Sequence, residues 1–491
     1  MCFGALALTG CANFKSEPLS AGEVRTTVQT DQATLARDVV PLSGPLQLDE
    51  AIARAIKYNA ERRLRAMEEA VAYGTFEAGQ FDMLPKLMAT AGYRYRDKEL
   101  VTRSTDSVTG APSLANPYIS SDREAVTTSL GFSWSLLDFG QSYFAARQNA
   151  DRVQIAAERR RKAINTLVQD VRTAYWRVVA AQHLDGALRT TIADAEGALD
   201  DARKAENEQL RSPLEPLRYQ RQVLESVRTL EAIQQELSTA RIELASLIGL
   251  LPGSSAQLTV VEPQVTVNQA WLQVPVEQLE ARALALNPDL RESHYNTRIA
   301  QQETRRVLLR LFPGLSFNYA LNHSTDSYLI NDSWKEAGVQ VSYNLLGLVA
   351  LPSQMRLADA GVALADQKRM ATQVAVLTQL HIARLQYANA AHQFERADAI
   401  AQVDQRISGH VGNQVAAAKQ TRLDGVAQQT ASILSSLRRY QALSNAQAAA
   451  SRLQATLGLE PGIQGSDKLP LPELSAAVAK SLAQWDAGKL E

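Results

Sequence analysis

The chain has 491 residues, with 51 Lys and Arg against 52 Asp and Glu, a formal net charge of -1, and two cysteines. Near-neutral charge excludes nucleic-acid binding through a basic surface. Hydrophobic content of 45% excludes a disordered chain, and Cys2 and Cys11, both at the extreme N-terminus, exclude a disulfide scaffold. Length alone suggests about three domains. No run of about 18 apolar residues supplies a transmembrane helix, and few Gly (25) and Pro (17) favour long uninterrupted elements.

Composition alone thus describes a soluble, helix-rich protein, and the pattern along the chain overturns that description. Residues 2–10 are short and apolar and end at Cys11. Leu8-Thr9-Gly10-Cys11 resembles the box of a bacterial lipoprotein signal. The resemblance implies that 1–10 is a signal remnant removed before Cys11, that Cys11 carries palmitate and related acyl chains, and that outer-membrane lipid holds the anchor. Ala12, where an Asp would cause retention, implies export to the outer membrane. No Lys or Arg precedes the run, so the true start is expected upstream. Residues 11–44 then read as an acylated N-terminal tail.

The remainder reads as two copies of one unit, repeat 1 over 45–253 and repeat 2 over 275–462, with a linker at 254–274 and a C-terminal tail at 463–491. Ala53-Arg54-Ala55-Ile56-Lys57-Tyr58-Asn59 matches Ala281-Arg282-Ala283-Leu284-Ala285-Leu286-Asn287, an offset of 228 (281 − 53). Leu84-Pro85-Lys86-Leu87 keeps that offset onto Phe312-Pro313-Gly314-Leu315. From Ser133-Trp134-Ser135-Leu136-Leu137 to Gly249-Leu250-Leu251-Pro252-Gly253 the offset becomes 209 (458 − 249). The segment between those landmarks therefore has one length in both copies, as a rigid body of fixed reach requires. The length difference falls at 97–125, which reads as a loop.

In chain order, residues 47–83 place Leu48, Ala51, Ile52, Ala55 and Ile56 at helical spacing up to the Pro85 stop. Strands follow at 86–97 and 126–135, where Leu87, Ala89, Ala91, Tyr93 and Tyr95, then Val126, Thr128, Leu130, Phe132 and Trp134, alternate with mostly small or polar residues. A helical hairpin over 141–250 carries the stripe Ile164, Leu167, Val168, Val171, Ala174, Tyr175, Val178 and turns near Pro213 and Pro216. With no Pro in its first arm, that helix runs to about 100 Å. Repeat 2 gives a helix at 276–311, strands at 315–322 and 338–344, and a hairpin at 353–459. Each strand pairs an apolar face with a polar one, which suits a transmembrane barrel. Four strands cannot close one, so the barrel is shared between chains.

An acylated cysteine and a duplicated helix, strand, strand, helical-hairpin unit resemble the TolC-type outer-membrane factor family over about residues 45 to 462. Asn287-Pro288-Asp289-Leu290 with Phe312-Pro313, and the turn Leu136-Leu137-Asp138-Phe139-Gly140, resemble motifs of that family. Copy one departs with Asn59-Ala60, and copy two with Leu346-Gly347-Leu348. The resemblance implies a mainly α fold with a membrane β-barrel part: a homotrimer with a 12-stranded barrel and a periplasmic coiled-coil tunnel. It implies a passive exit duct of a tripartite pump for small molecules or drugs, with a periplasmic adaptor and, through it, an inner-membrane transporter as partners. The alternatives are the outer-membrane component of type I protein secretion and, from another class, a periplasmic coiled-coil lipoprotein scaffold.

No phosphate loop, nucleophile elbow or metal-ligand spacing marks an enzyme. Neither cofactor nor metal is expected, and the six His are scattered. Arg159-Arg160-Arg161-Lys162 reads as a solvated face. The informative residues lie at the hairpin turns, where Arg211, Ser212, Leu214 and Glu215 align at offset 209 with Gln420, Thr421, Leu423 and Asp424, Arg422 lying between. Ser or Thr followed by an acid caps a helix. The resemblance adds that Arg211, Ser212, Leu214, Glu215, Thr421, Arg422, Leu423 and Asp424 meet the adaptor. Glu206, Glu208 and Asp404, with Asp424, are the candidate acids for a charged ring at a symmetric mouth.

Overall fold

The computed structural model describes residues 17–112, 117–207, 214–251, 253, 258–263, 267, 269–461 and 468–489. Cys11, the signal remnant, Glu208, Arg211 and Ser212 lie outside the described residues. The described chain begins with α1 (Ala21–Arg37), α2 (Leu48–Tyr58) and α3 (Ala60–Phe81), followed by β1 (Lys86–Tyr95), a small ribbon of β2 (Val101–Thr102) and β3 (Tyr118–Ile119), and β4 (Glu124–Ser135). Next come α4 (Leu136–Asn207), α5 (Leu214–Ser238), α6 (Ala240–Leu247), α7 (Ala270–Gln273), α8 (Val276–Leu286) and α9 (Pro288–Leu309). β5 (Gly314–Ser324), β6 (Ser333–Ser342), α10 (Gly347–Ala416), α11 (Arg422–Thr456) and α12 (Leu471–Asp486) complete it.

The helical period over 47–83 predicts one helix, and the structure breaks it. Asn59, with φ -61° and ψ 128°, ends α2 and caps α3 by accepting from the Arg62 amide at 3.0 Å. Asn287 interrupts 276–311 in the same way, accepting from the amides of Asp289 and Leu290. An asparagine side chain that competes for backbone donors favours a cap over a helix interior. The returning arm of hairpin 1 is also divided, at Thr239, into α5 and α6. The flanking segments read as tails hold helices: α1 lies within 11–44, and α12 lies beyond 463 and packs on α2.

The main core gathers α2, the middle of α4, α5, α6 and α11 around Trp176, Tyr175, Ile52, Ile56, Leu230 and Leu244. A second core joins Trp271 of the linker to Leu279, Leu380 and Leu453 of repeat 2. α12 joins them, with Leu471, Leu474 and Val478 in the first and Trp485 in the second. Between the cores Arg172 is fully enclosed, donating to Ser451 Oγ at 2.8 Å and Gln454 Oε1 at 3.3 Å, with the Tyr387 phenol nearby pushed up to about 12 by burial.

Candidate export conduit and its tips

β1, β4, β5 and β6 form one antiparallel sheet in that order, so the two repeats join through β4 and β5. Its register places like with like. Leu87, Phe132, Tyr319 and Ala337 lie in one cross-strand row, and Trp134, Phe317 and Val339 in another. On the opposite face Thr90, Ser129 and Asn322 share a row, as do Lys86, Ser133 and Asn318. A single-residue slip would mix these faces, so the alternation itself fixes the pairing. Trp134 stacks near Phe317 and meets Phe139 edge-on, which places an aromatic cluster where the strands run into helices. Such rings suit a membrane interface. β1 and β6 are exposed along their whole length and present two free edges.

Below the sheet the wall is built from α4, of 72 residues, and α10, of 70, each about 105 Å long. Shorter helices stack end to end beside them, and the joints are the two asparagines. Asn59 Nδ2 donates to the Leu247 carbonyl at 3.2 Å, and Asn287 Nδ2 to the Thr456 carbonyl at 3.1 Å. Leu247 and Thr456 end the returning arms and are themselves repeat mates at offset 209 (456 − 247). Gly249 and Gly458 follow, with φ +78° and +67°. A Cβ there would sit 2.5 Å from the Tyr58 Cβ and 2.3 Å from the Leu286 carbonyl oxygen respectively. Only glycine fits both the backbone region and the space.

The seam between α4 and α9 is polar. Glu158 accepts from Arg291 Nε at 2.6 Å, Arg159 pairs with Glu292 at 2.7 Å, Lys162 with Asp289 at 2.8 Å, and Asp151 with Arg298. Asp151 and Glu158 are buried, and each has its arginine, as a carboxylate removed from water requires. The basic run at 159–162 is therefore a hub of ion pairs, since Arg160 also pairs with Glu69 and Arg161 with Glu158 and Glu460.

At the far end of the wall α10 turns into α11 through Ala418, at φ +56°. Thr421 caps α11 in a reciprocal box with Asp424: Thr421 Oγ1 accepts from the Asp424 amide at 3.2 Å, and Asp424 Oδ2 accepts from the Thr421 amide at 3.2 Å. Arg422 reaches across to α4, meeting Asp201 at 3.3 Å and Asp194 at 3.7 Å. Its guanidinium lies over Gly197, where a Cβ would stand 3.0 Å away. Leu423 packs against a small cluster of Ala195, Ala198, Leu199, Val223 and Val426. Burial there pushes the Tyr219 phenol above its ordinary value, partly offset by the Leu423 amide. Arg422 and Leu423 thus face the other hairpin, whereas Thr421 and Asp424 are exposed. In hairpin 1 Leu214 and Glu215 are exposed, Glu215 pairing with Arg218 at 3.1 Å. Glu206 accepts from Gln220 Nε2 at 2.6 Å, which ties α4 to α5, and Asp404 is half-exposed on α10. Among the described residues no group of three or more His, Cys, Asp or Glu could hold a metal, and no helix is long and apolar enough to cross a membrane.

Residues 62–250, almost the whole of repeat 1 beyond its first helix, match the outer membrane efflux protein family. Over these residues, less than half of the chain, the sequence is similar to outer membrane efflux proteins. No curated protein sequence matches the chain. Solved structures of outer-membrane channels and proteins share its fold. The CmeC outer membrane channel of Campylobacter jejuni is 12% identical with a TM-score of 0.65, over 88% of this chain and 89% of that one. The outer-membrane channel OprN is 15% identical with a TM-score of 0.64, over 84% and 90%. The outer membrane protein VceC of Vibrio cholerae is 16% identical with a TM-score of 0.61, over 84% and 96%. At these identities the likeness speaks for the fold.

The residues that counting apolar periods passes over are the joints. Asn59 and Asn287 have the same place in both repeats and so do Gly249 and Gly458, and that repetition is the signal in the sequence. Arg422 is legible as a tip residue, but its acidic partners on α4, more than two hundred positions earlier, are not.

Proposed function

We propose that this protein is an outer-membrane export channel, the passive exit duct of a tripartite efflux pump for small molecules, and that it works as a homotrimer anchored through an acylated Cys11. The observation that carries this reading is the four-stranded sheet, apolar on one face and polar on the other, set at the end of a helical wall about 105 Å long. Free edges cannot persist in hydrocarbon, because unpaired backbone groups there find no water. A second copy must therefore cover β1 and β6, and three copies give twelve strands, enough to enclose a water-filled lumen.

The helices next to each edge support the same arrangement. α3, which leads into β1, exposes Leu64, Met67, Val71 and Phe81. α10, which leaves β6, exposes Leu357, Leu364, Val374 and Leu385. The intervals, 3, 4 and 10 residues in α3 (67 − 64, 71 − 67, 81 − 71) and 7, 10 and 11 in α10 (364 − 357, 374 − 364, 385 − 374), all fall on the a and d positions of a single heptad frame, as in a coiled-coil seam. Under this reading the exposed tip residues Leu214, Glu215, Thr421 and Asp424, with Arg211 and Ser212, meet the adaptor. Glu206, Glu208 and Asp404 are the acids that threefold symmetry would turn into rings. Planar-bilayer recording of the purified trimer tests the proposal: stepwise ion conductance is expected. A trimer that never conducts, even with the Arg422 contacts removed, would favour a periplasmic scaffold.

A further inference from the structure

The two strands at the sheet edges carry opposite charges that their own chain leaves unanswered. β6 places Lys335 and Glu336 side by side, both exposed. β1 runs into Arg96 and Asp97, and its ladder reaches Arg96, whose amide donates to the Arg123 carbonyl at 2.8 Å. Among the described residues none of these four is ion-paired, and Nη1 of Arg96 finds no acceptor. Glu336 accepts a long bond from Asn322 Nδ2 at 3.4 Å. Lys335 shares its row with Leu321, Leu130 and Ala89 on the apolar face. An ammonium on a lipid-facing surface is costly unless a carboxylate stands beside it.

The internal repeat dictates how a second copy meets these edges. β5 is the mate of β1 at offset 228 (314 − 86), and β6 is the mate of β4 at offset 209 (342 − 133). Both offsets survive in the pairing, since Lys86 faces Ser133 and their mates Gly314 and Ser342 face each other. The join between repeats, from β4 to β5, sets Thr127 against Ser324 and Ser133 against Asn318. In a shared barrel β6 meets β1 of the next subunit at the equivalent join. The same offsets then set Glu336 (127 + 209) opposite Arg96 (324 − 228), and Ser342 opposite Thr90 (318 − 228). One residue along, Lys335 stands opposite Asp97. Each charge meets its opposite, and Val339 and Val341 fall beside Tyr93 and Ala91, apolar on apolar. A slip of one residue would mix the faces. A slip of two sets Lys335 against Tyr95 in one direction, and in the other sets Glu336 against Lys98, beyond the end of β1. We propose that β6 of one subunit pairs with β1 of the next in this register, with Glu336 joined to Arg96 of the partner subunit and Lys335 to Asp97 of the partner subunit. The inference rests on the trimeric channel reading above.

Disulfide trapping in the full-length protein in outer membranes tests it. Val341→Cys with Ala91→Cys places two thiols directly opposite, at a separation that a disulfide spans. Val341→Cys with Ala89→Cys, and Val341→Cys with Tyr93→Cys, are the pairs for slips of two residues. The parent chain, whose two cysteines lie at the extreme N-terminus, controls for other bridges. Oxidation with copper phenanthroline should yield covalent trimer on non-reducing denaturing gels, at least about tenfold more from the first pair than from either slipped pair. Trapping mainly by a slipped pair overturns the register. No trapping by any pair, with the trimer intact on native mass spectrometry, overturns the seam between β6 and β1. Absence of the trimer on native mass spectrometry overturns the channel reading itself. Arg96→Glu or Glu336→Arg alone sets like charges opposite each other and should slow trapping of the first pair at least about threefold. The two reversals together should restore it, and a double reversal as slow as the single ones overturns the ion pair.

Discussion

At the scale of single residues, the positions that tolerate least are those where the two repeats make the same close approach. Gly458 holds φ +67° with its missing Cβ aimed at the Leu286 carbonyl, and Gly249 does the same against Tyr58. An alanine would meet a forbidden backbone region and an atom 2.3 Å away at once, so Gly458→Ala should cost more than about 2 kcal/mol. Melting followed by tryptophan fluorescence checks this, since Trp176 and Trp271 lie in the two cores. Gly44, with nothing near its Cβ position and no strained φ, is the control and should accept alanine within about 0.5 kcal/mol. Asp326 makes a different prediction, one of pH. The Asp122 amide first, then Ser121, the Tyr328 amide and Arg94, hold its carboxyl below the usual range. A lowered folded value means that these bonds contribute fully above the ordinary carboxylate value of about 3.9 and are lost as pH falls through the lowered one. Exchange protection of residues 118–122 and 327–330 should stay level from neutral pH to about pH 5 and fall only in stronger acid.

Elements show where sequence reasoning succeeds and where it stops. The strands are legible because alternation and the barrel demand the same thing, an apolar face and a polar face. The observed register then places Phe132 beside Tyr319 and Ser129 beside Asn322. The long helices are legible from the absence of proline. Helix boundaries are less so: periodicity runs through Asn59 because Ala55, Ile56 and the residues after it still fit a helix. A single cap bond and the arrival of Leu247 decide the break, and neither is local. The tips divide along the same line. Thr421 and Asp424 form the cap that their spacing predicts, while the reach of Arg422 to Asp194 and Asp201 depends on how two hairpins pack. Charge reversal at Glu215 and Asp424 together should weaken crosslinking to the adaptor and leave the trimer intact. Because Asp424→Lys also breaks the capping box, Thr421→Ala is the needed companion. It should cost about 1 kcal/mol locally and weaken adaptor crosslinking less than the charge reversals do. Equal losses in both variants would mean that the cap, not the charge, serves the adaptor.

For the whole molecule, length and composition mislead because, on the proposed reading, the unit of function is a trimer and not the chain. A single protomer leaves the outer edges of β1 and β6 unpaired and two apolar helix stripes exposed, so its own interior cannot account for its hydrophobic content. The duplicated unit explains why about three domains is the wrong expectation: α4 and α10 are copies, and each packs against both α9 and α11 in one wall. The same view yields the most direct test of assembly. Leu64 on α3 is 54% exposed and Leu364 on α10 is 56% exposed. If these stripes meet across subunits, Leu64→Asp or Leu364→Asp buries an unpaired carboxylate at each of three seams. The cost at each seam is several kcal/mol, and symmetry multiplies it by three. The trimer should be lost on native mass spectrometry, while circular dichroism of the released chain keeps its helical signal, because neither leucine belongs to a core of the protomer. Lys368, exposed one turn beyond Leu364 and next to the cavity between α9 and α10, gives the contrast. Lys368→Asp places a charge where a charge already sits and should leave the trimer standing. A trimer that survives both leucine variants would separate the free strand edges from the helix stripes and leave the barrel alone to hold the subunits together.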